Sequence, residues 1–373
     1  MLKRLYTINF LDAFIVGVIT VLVPLLMLER GIDLTTIGFV FAAAPLAKAA
    51  IRLAAAAIAD SLGDRVVYIM SSASDFLQSL AYLFSTTAMG FAGGKLLDGA
   101  RESLIWSVNR PSLMAISPEN KHFAFTNLLS GRLVYNALGS LAVGVLFIYG
   151  GYELPLLAIV ALSAYLVYAS LGLKNAHRAE THSKLTDFNP LGRSGKFYEI
   201  AGVFLLGSLF YSTAFYMLIP IYLSTQGFTL AEIGVFYAGY FLLQGLMLQI
   251  ISHRKVGTRK AAYAGAAIYG AGLAGLVLAP HALIPLFFLL MSIGDAFLAI
   301  LWEEMNYIGA KESKKRATDL SLLVTPSFFG NVLSAGVSGA AVALFGFAPF
   351  FAALAIAEAG FAAWCLRLSR MKG

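Results

Sequence analysis

Residues 94–106 read Gly-Lys-Leu-Leu-Asp-Gly-Ala-Arg-Glu-Ser-Leu-Ile-Trp. Lys95, Asp98, Arg101 and Glu102 thus place four ionisable groups within eight residues, between long apolar runs. At 100° per residue, Lys95, Asp98, Glu102, Trp106 and Asn109 fall within about 80° of one another on a helix. Carboxylates beside an ammonium or a guanidinium hold, release and exchange protons. Charge at the centre of a bilayer costs at least about 3 kcal/mol per residue, so such a face must look into a bundle interior or a wet cavity.

Further ionisable residues sit inside apolar segments: Asp12, Lys48, Arg52, Asp75 and Arg132, then Asp295, Glu303, Glu304 and Glu358. In the first half Lys48, Arg52, Lys95, Arg101 and Arg132 stand against Asp12, Asp75, Asp98 and Glu102, five cations to four acids. The second half has four such acids and no Lys or Arg among them. An acid buried without a cation is stabilised by taking up a proton. Asp12, Glu102 and Asp98 are therefore expected to couple protons, with Lys95, Arg101, Arg52 and Arg132 as charge partners. Depth along the helices, at 1.5 Å per residue, puts Asp12 about 10 Å in and level with Arg52, which makes these two a candidate pair.

Asp295, Trp302 and Asn306 share a face within about 40° and mirror the Trp106 and Asn109 face. With Asn331 they are expected to line a cavity for a small-molecule substrate. Bond-making chemistry finds no support. Cys365 is the single cysteine, the five histidines fall in predicted loops or at helix ends, and no Ser-His-Asp arrangement is visible. The chain is read as a non-enzyme with no metal and no cofactor.

These residues need a bundle around them. The chain has 373 residues, 59% hydrophobic and 13% charged, where a soluble domain carries about 25% charged residues. It is read as an all-α polytopic membrane protein with room for about twelve spans of some 20 residues. The basic excess lies in short loops, as a topology signal does, and does not cluster into a nucleic-acid patch. Partners are thus the lipid bilayer, protons and a small solute, with no nucleic acid, and a monomer is expected.

The two halves repeat. Pro24, Gly31, Ile37 and Gly38 return as Pro220, Gly227, Ile233 and Gly234, and Trp106 returns as Trp302, all 196 residues later. Six spans in each half leave the copies in the same orientation, a parallel repeat about an axis along the membrane normal. This divides the chain into a bundle over 1–173, a linker over 174–196 and a second bundle over 197–373, whose first helix is predicted as continuous over about 197–224. Lys and Arg gather in the linker, after helices 8 and 10, and at both termini, with Arg30 alone on the other side. Both termini are therefore expected in the cytoplasm of a cell whose plasma membrane the chain spans.

After helix 2 comes Ala56-Ala-Ile-Ala-Asp60-Ser-Leu-Gly63-Asp-Arg65. This resembles the loop signature of the major facilitator superfamily at Ile58, Ala59, Asp60, Gly63 and Arg65, and departs from it at Ala56, Ser61 and Asp64. The resemblance implies twelve helices in two like-oriented repeats, alternating access, and a gating role for Asp60, Gly63 and Arg65. Lys95 four residues before Gly99 is similar to the family's helix 4 signature, with Lys in place of Arg. Gly131, Gly139 and Gly144 partly resemble the Gly-rich helix 5 element of its exporters. A proton-coupled secondary transporter is therefore expected; the acids of the second half and the aromatic faces favour a cationic or amphipathic cargo, and the resemblance to exporters favours export by antiport. The alternatives are uptake of a small anionic nutrient through Lys48, Arg52 and Arg132, or a membrane sensor in the same fold.

Overall fold

The computed structural model describes residues 2–116, 121–173, 193–254, 256–310 and 316–370. All regular elements among them are helices. The first half has α1 (Leu2–Glu29), α2 (Leu34–Leu62), α3 (Asp64–Phe84), α4 (Ala88–Ile116), α5 (Lys121–Gly150) and α6 (Glu153–Leu171). The second has α7 (Gly195–Thr225), α8 (Leu230–Arg254), α9 (Thr258–Leu278), α10 (Ile284–Ala310), α11 (Arg316–Phe345) and α12 (Phe347–Arg370). Most of the expected linker, 174–192, lies outside the described residues.

Ten of these helices are long and apolar enough to cross a membrane. The other two, α3 and α4, have 21 and 29 residues, the length for it, but carry the polar groups singled out above. Large apolar side chains such as Leu246, Leu286, Leu333 and Ile356 are exposed, as lipid-facing positions are.

The repeat seen in the sequence reappears as packing. Within the first half α1 packs on α5, α2 on α4, and α3 on both α4 and α6. In the second half α7 packs on α11, α8 on α10, and α9 on both α10 and α12. The repeated glycines make the same turn: Gly31 and Gly227 adopt φ of 73° and 91°. The amides of Ile32 and Phe228 then reach back to the carbonyls of Met27 and Leu223 at 3.0 and 3.2 Å, closing α1 and α7 alike. The next helices start on side-chain caps. Asp33 accepts from the amide of Thr36 at 3.0 Å, while Thr229 and Glu232 form a reciprocal capping box.

One element departs from its expected form. α7 is interrupted after Ser208 and contains a π turn over Ala214–Leu218. Pro220 follows and has no N–H to donate into the preceding turn. Proline alone does not explain the break, since Pro24 sits inside an unbroken α1. In α7 the Tyr237 hydroxyl also donates to the Phe215 carbonyl at 2.6 Å, which gives that carbonyl a partner outside the helix.

The halves meet along α2 with α11 and α5 with α8, two interfaces that the repeat interchanges. At the end of the molecule away from the termini both approach closely through glycine. A Cβ on Gly38 would lie 2.6 Å from the Ala335 carbonyl oxygen, and one on Gly234 would lie 2.5 Å from that of Ser140. Gly339 and Gly144 face Leu34 and Ala231 in the same way, at 2.2 and 2.9 Å. Only residues without a Cβ let the backbones come this close. Gly38→Val is therefore expected to overpack the closed end by about 1–3 kcal/mol and favour a state open there. In a Cys365→Ser background, a Thr35→Cys reporter should then react several-fold faster with a membrane-impermeant maleimide. An unchanged or slower rate would show that these contacts do not hold the end shut.

Candidate functional site

On α1, the turn carrying Asn9 and Asp12 is polar in an otherwise apolar helix, and both side chains are fully buried. Asp12 is held by two guanidiniums: Arg101 donates to its Oδ1, and Arg132 Nη2 lies 2.6 Å from its Oδ2. Arg101 also donates to Asp98 at 2.9 Å, and Asp98 accepts from Lys95 at 3.1 Å. Asp75 stands 3.9 Å from Arg101 Nε. Lys95, Arg101 and Arg132 thus stand among Asp12, Asp75 and Asp98, and both carboxyl oxygens of Asp75 are buried without a hydrogen-bond partner among the described residues. The Lys95 ammonium also sits 4.3 Å from the centre of the Phe41 ring.

The expected Asp12–Arg52 pair is not formed. Arg101 and Arg132 are nearer to Asp12 in space, and Arg52 Nη1 reaches the Ser103 carbonyl at 3.4 Å. Asn109 is a second correction. It does not face a cavity but is fully buried, exchanging hydrogen bonds with Asn9 at 3.0 and 2.8 Å and accepting from Tyr68 at 2.8 Å. An arc of 80° spans more than one neighbour in a tightly packed bundle. The cavity takes Glu102 and Trp106, while the bundle core takes the rest.

Asp295 is the third. Its Oδ2 accepts from Tyr211 at 2.7 Å, Tyr240 at 2.8 Å and Gln244 at 2.6 Å, which joins α10 to α7 and α8 inside the second half. Asn306 and Asn331 are buried in that half too, and neither lines the cavity. Trp302, on the same predicted face, does line it. In the loop after α2, where a gating role was expected, Gly63 has φ 88°, and Arg65 donates to the Leu171 carbonyl at the end of α6 at 3.0 Å. Its neighbour Asp64 accepts from Ser112 of α4 at 2.9 Å. The side chain of Asp60 lies outside the described ones.

Between the halves lies a cavity of about 310 Å³. The first half lines it with Lys48, Arg52, Glu102, Ser103, Trp106 and Leu129, the second with Ala299, Trp302, Glu303, Val324, Ser327 and Phe328. Lys48 and Glu102 are the middle residues of α2 and α4. Their Nζ and Oε2 atoms are 2.6 Å apart, and Glu102 keeps 36% of its side chain exposed. The two repeated tryptophans both line the cavity. Arg132 sits 5.1 Å from the ring centre of Trp106, and Phe204 sits 4.3 Å from that of Trp302. Sequence reasoning gave Glu303 and Tyr240 no role and Lys48 only a secondary one. The signal for Lys48 was its central place on α2; for Tyr240 none was visible.

A family model described as Major Facilitator Superfamily matches residues 5–305. The chain belongs to the Major Facilitator Superfamily. Solved structures similar to it include a variant of the nucleoside transporter NupG, at 17% identity and TM-score 0.76, covering 98% of this chain and 99% of that one. A D-xylose–proton symporter follows at 13% identity and TM-score 0.75, with 98% and 97% covered. A POT family transporter in complex with a thioalcohol-conjugated peptide has 14% identity and TM-score 0.75, with 99% and 96% covered. At these identities the likeness is one of fold. No curated protein sequence matches the chain. It is a multi-pass membrane transporter of the superfamily and not an enzyme.

Losing one partner of a buried ion pair leaves a bare charge and costs about 3–5 kcal/mol, whereas a part-exposed pair is worth about 1 kcal/mol or less. Asp12→Asn should therefore lower the thermal midpoint of the detergent-solubilised transporter sharply, and Glu102→Gln only slightly. Equal midpoints for the two variants would mean that Asp12 is not the centre of the network.

Proposed function

We propose that this superfamily member is a proton-coupled symporter, working as a monomer, that takes up a small organic solute by rocking 1–173 against 197–373. The observation that carries the reading is the Lys48–Glu102 pair, central in the membrane and facing the cavity between the halves. A proton on Glu102 removes the charge that holds Lys48. Lys48 is then released to a polar group of the incoming solute, so solute and proton load in the same state. That order favours symport over antiport, in which proton and cargo compete for one carboxylate. The D-xylose–proton symporter among its fold relatives supports the same direction. Asp12 and Asp98, each held by two cations, are the fixed countercharges of the first half rather than the travelling proton site.

Export of a cation loses its main support in the sequence. Of the second-half acids, Asp295 and Glu358 are buried within that half and do not line the cavity, and Glu303, which does, faces it together with Lys48 and Arg52. The Lys and Arg distribution supports cytoplasmic termini, and uptake of a solute would place the chain in the plasma membrane.

Proteoliposomes with an acid exterior, offered a defined pool of small polar and aromatic metabolites, should accumulate at least one species several-fold over protein-free vesicles. A protonophore should abolish the accumulation, and so should Glu102→Gln. Equal contents with and without protein would reject transport, and full accumulation by Glu102→Gln would reject this coupling site.

A further inference from the structure

The face that α3 turns to α4 carries polar groups that its neighbours do not satisfy. The serines of α3 have partners: Ser71 donates to the Arg101 carbonyl at 3.1 Å, Ser72 to that of Tyr68 at 2.9 Å, and Ser79 to that of Asp75 at 2.9 Å. Asp75, Gln78 and Tyr82 differ. Both carboxyl oxygens of Asp75, both amide atoms of Gln78 and the Tyr82 hydroxyl are buried and have no hydrogen-bond partner among the described residues. Arg101 Nε on α4 has none either. All three α3 side chains are fully buried, and Arg101 is 3% exposed. Bare polar atoms at this depth are costly and uncommon, so a group of them on one helix face marks a site that something fills.

The orphaned atoms lie along one seam. At 100° per residue, Asp75, Gln78 and Tyr82 fall within about 60° on α3 and rise through about 10 Å. α4 runs antiparallel against them. Arg101 stands level with Ser71 and Asp75, while Gly94 lies under the Tyr82 ring, where a Cβ would come within 2.4 Å of Cε1. Gln78 falls between these two levels. None of the three α3 residues lines the cavity between the halves.

Their chemistry selects the occupant. Gln78 Nε2 and Arg101 Nε only donate, the Asp75 carboxylate and Gln78 Oε1 only accept, and the Tyr82 hydroxyl does either. A metal cation would satisfy the acceptors and leave both donors bare. It would also stand beside the Arg101 guanidinium and the Lys95 ammonium, which is 5.9 Å from the Tyr82 ring centre. An anion would satisfy the donors and leave the acceptors bare. Water both donates and accepts. The 3.9 Å between Asp75 Oδ1 and Arg101 Nε is too long for a hydrogen bond and short enough for one water to touch both. A buried water needs about two to four polar partners, and this seam supplies them.

We propose that α3 and α4 enclose a chain of ordered water that joins Arg101 and Asp75 to Gln78 and Tyr82. It is a hydration site separate from the transport cavity, and it makes Gln78 and Tyr82 positioning residues for the Asp75–Arg101 contact. It does not depend on what the cavity carries.

Hydroxyl radicals made from bound water by X-rays oxidise the buried side chains beside it, and mass spectrometry reads the sites. In the purified full-length protein in detergent, Tyr82 should be oxidised several-fold faster than Tyr237. That residue is equally buried but donates its hydroxyl to the Phe215 carbonyl at 2.6 Å. Gln78→Leu should slow oxidation of Tyr82 several-fold, and Gln78→Asn, which keeps a donor and an acceptor, should retain most of it. Thermal midpoints give a second reading. Gln78→Leu should lower the midpoint by breaking the water chain, whereas at a dry site the loss of bare polar atoms would raise it. Oxidation of Tyr82 no faster than that of Tyr237, or unchanged by Gln78→Leu in folded protein, would overturn the proposal. So would a midpoint raised by Gln78→Leu. A midpoint raised by sodium chloride over choline chloride in the wild type, and not in Asp75→Asn, would put a cation in the seam and overturn it too.

Discussion

The neutralisation of charge inside a lipid-facing bundle governs the first half of this transporter. Arg101 is the hinge of that balance. It bonds Asp12 and Asp98 and lies 3.9 Å from Asp75, while Arg132 takes the second oxygen of Asp12. α3 and α4 are too polar to read as spans by themselves. The charges of α4 are met by Asp12 of α1, which pairs with Arg101, and by Lys48 of α2, which pairs with Glu102. Burial of ions is a poor source of stability but a strict constraint on arrangement. Helices α1, α3, α4 and α5 can meet in few ways that leave no charge bare.

The second half builds the same scaffold without that constraint. At the positions 196 residues on from Asp12, Asp98, Arg101 and Arg132 stand Ser208, Gly294, Phe297 and Phe328. An aromatic cluster around Phe215, with Tyr237, Tyr240 and Phe241 at centroid distances of 5.1, 4.9 and 5.5 Å, packs α7 against α8 instead. Among its buried acids, Asp295 is satisfied by neutral donors. One half is thus locked by ion pairs and the other by rings and hydroxyls. The interrupted α7 belongs to the second half. Its π turn frees the Phe215 carbonyl for Tyr237 and places Tyr211 on Asp295.

The interfaces between the halves are built differently again. Backbone meets backbone at Gly38, Gly234, Gly144 and Gly339, with no salt bridge required. Glycine contacts of this kind can part and re-form without stranding a charge. The pairs that would be costly to break lie inside one half, and the Lys48–Glu102 pair that faces the cavity is itself part-exposed. Rigid halves with a separable seam are what alternating access needs.

Much of this was legible in the chain itself. Composition and span length determined a twelve-helix membrane protein. The 196-residue offset determined two like-oriented halves, because identical turn residues such as Gly31 and Gly227 build identical turns. The concentration of charge on α4 and the recurrence of the two tryptophans were also visible. Partner choice was not. Helical periodicity gives an angle to within tens of degrees, and in a packed bundle that arc touches two or three neighbours. Only the assembled structure decided that Asp12 meets Arg101 and Arg132 rather than Arg52, and that Asn109 and Asp295 turn into their own halves. It also decided that Lys48 and Glu303 face the gap. Those outcomes depend on distances between helices far apart in sequence, which no local pattern encodes.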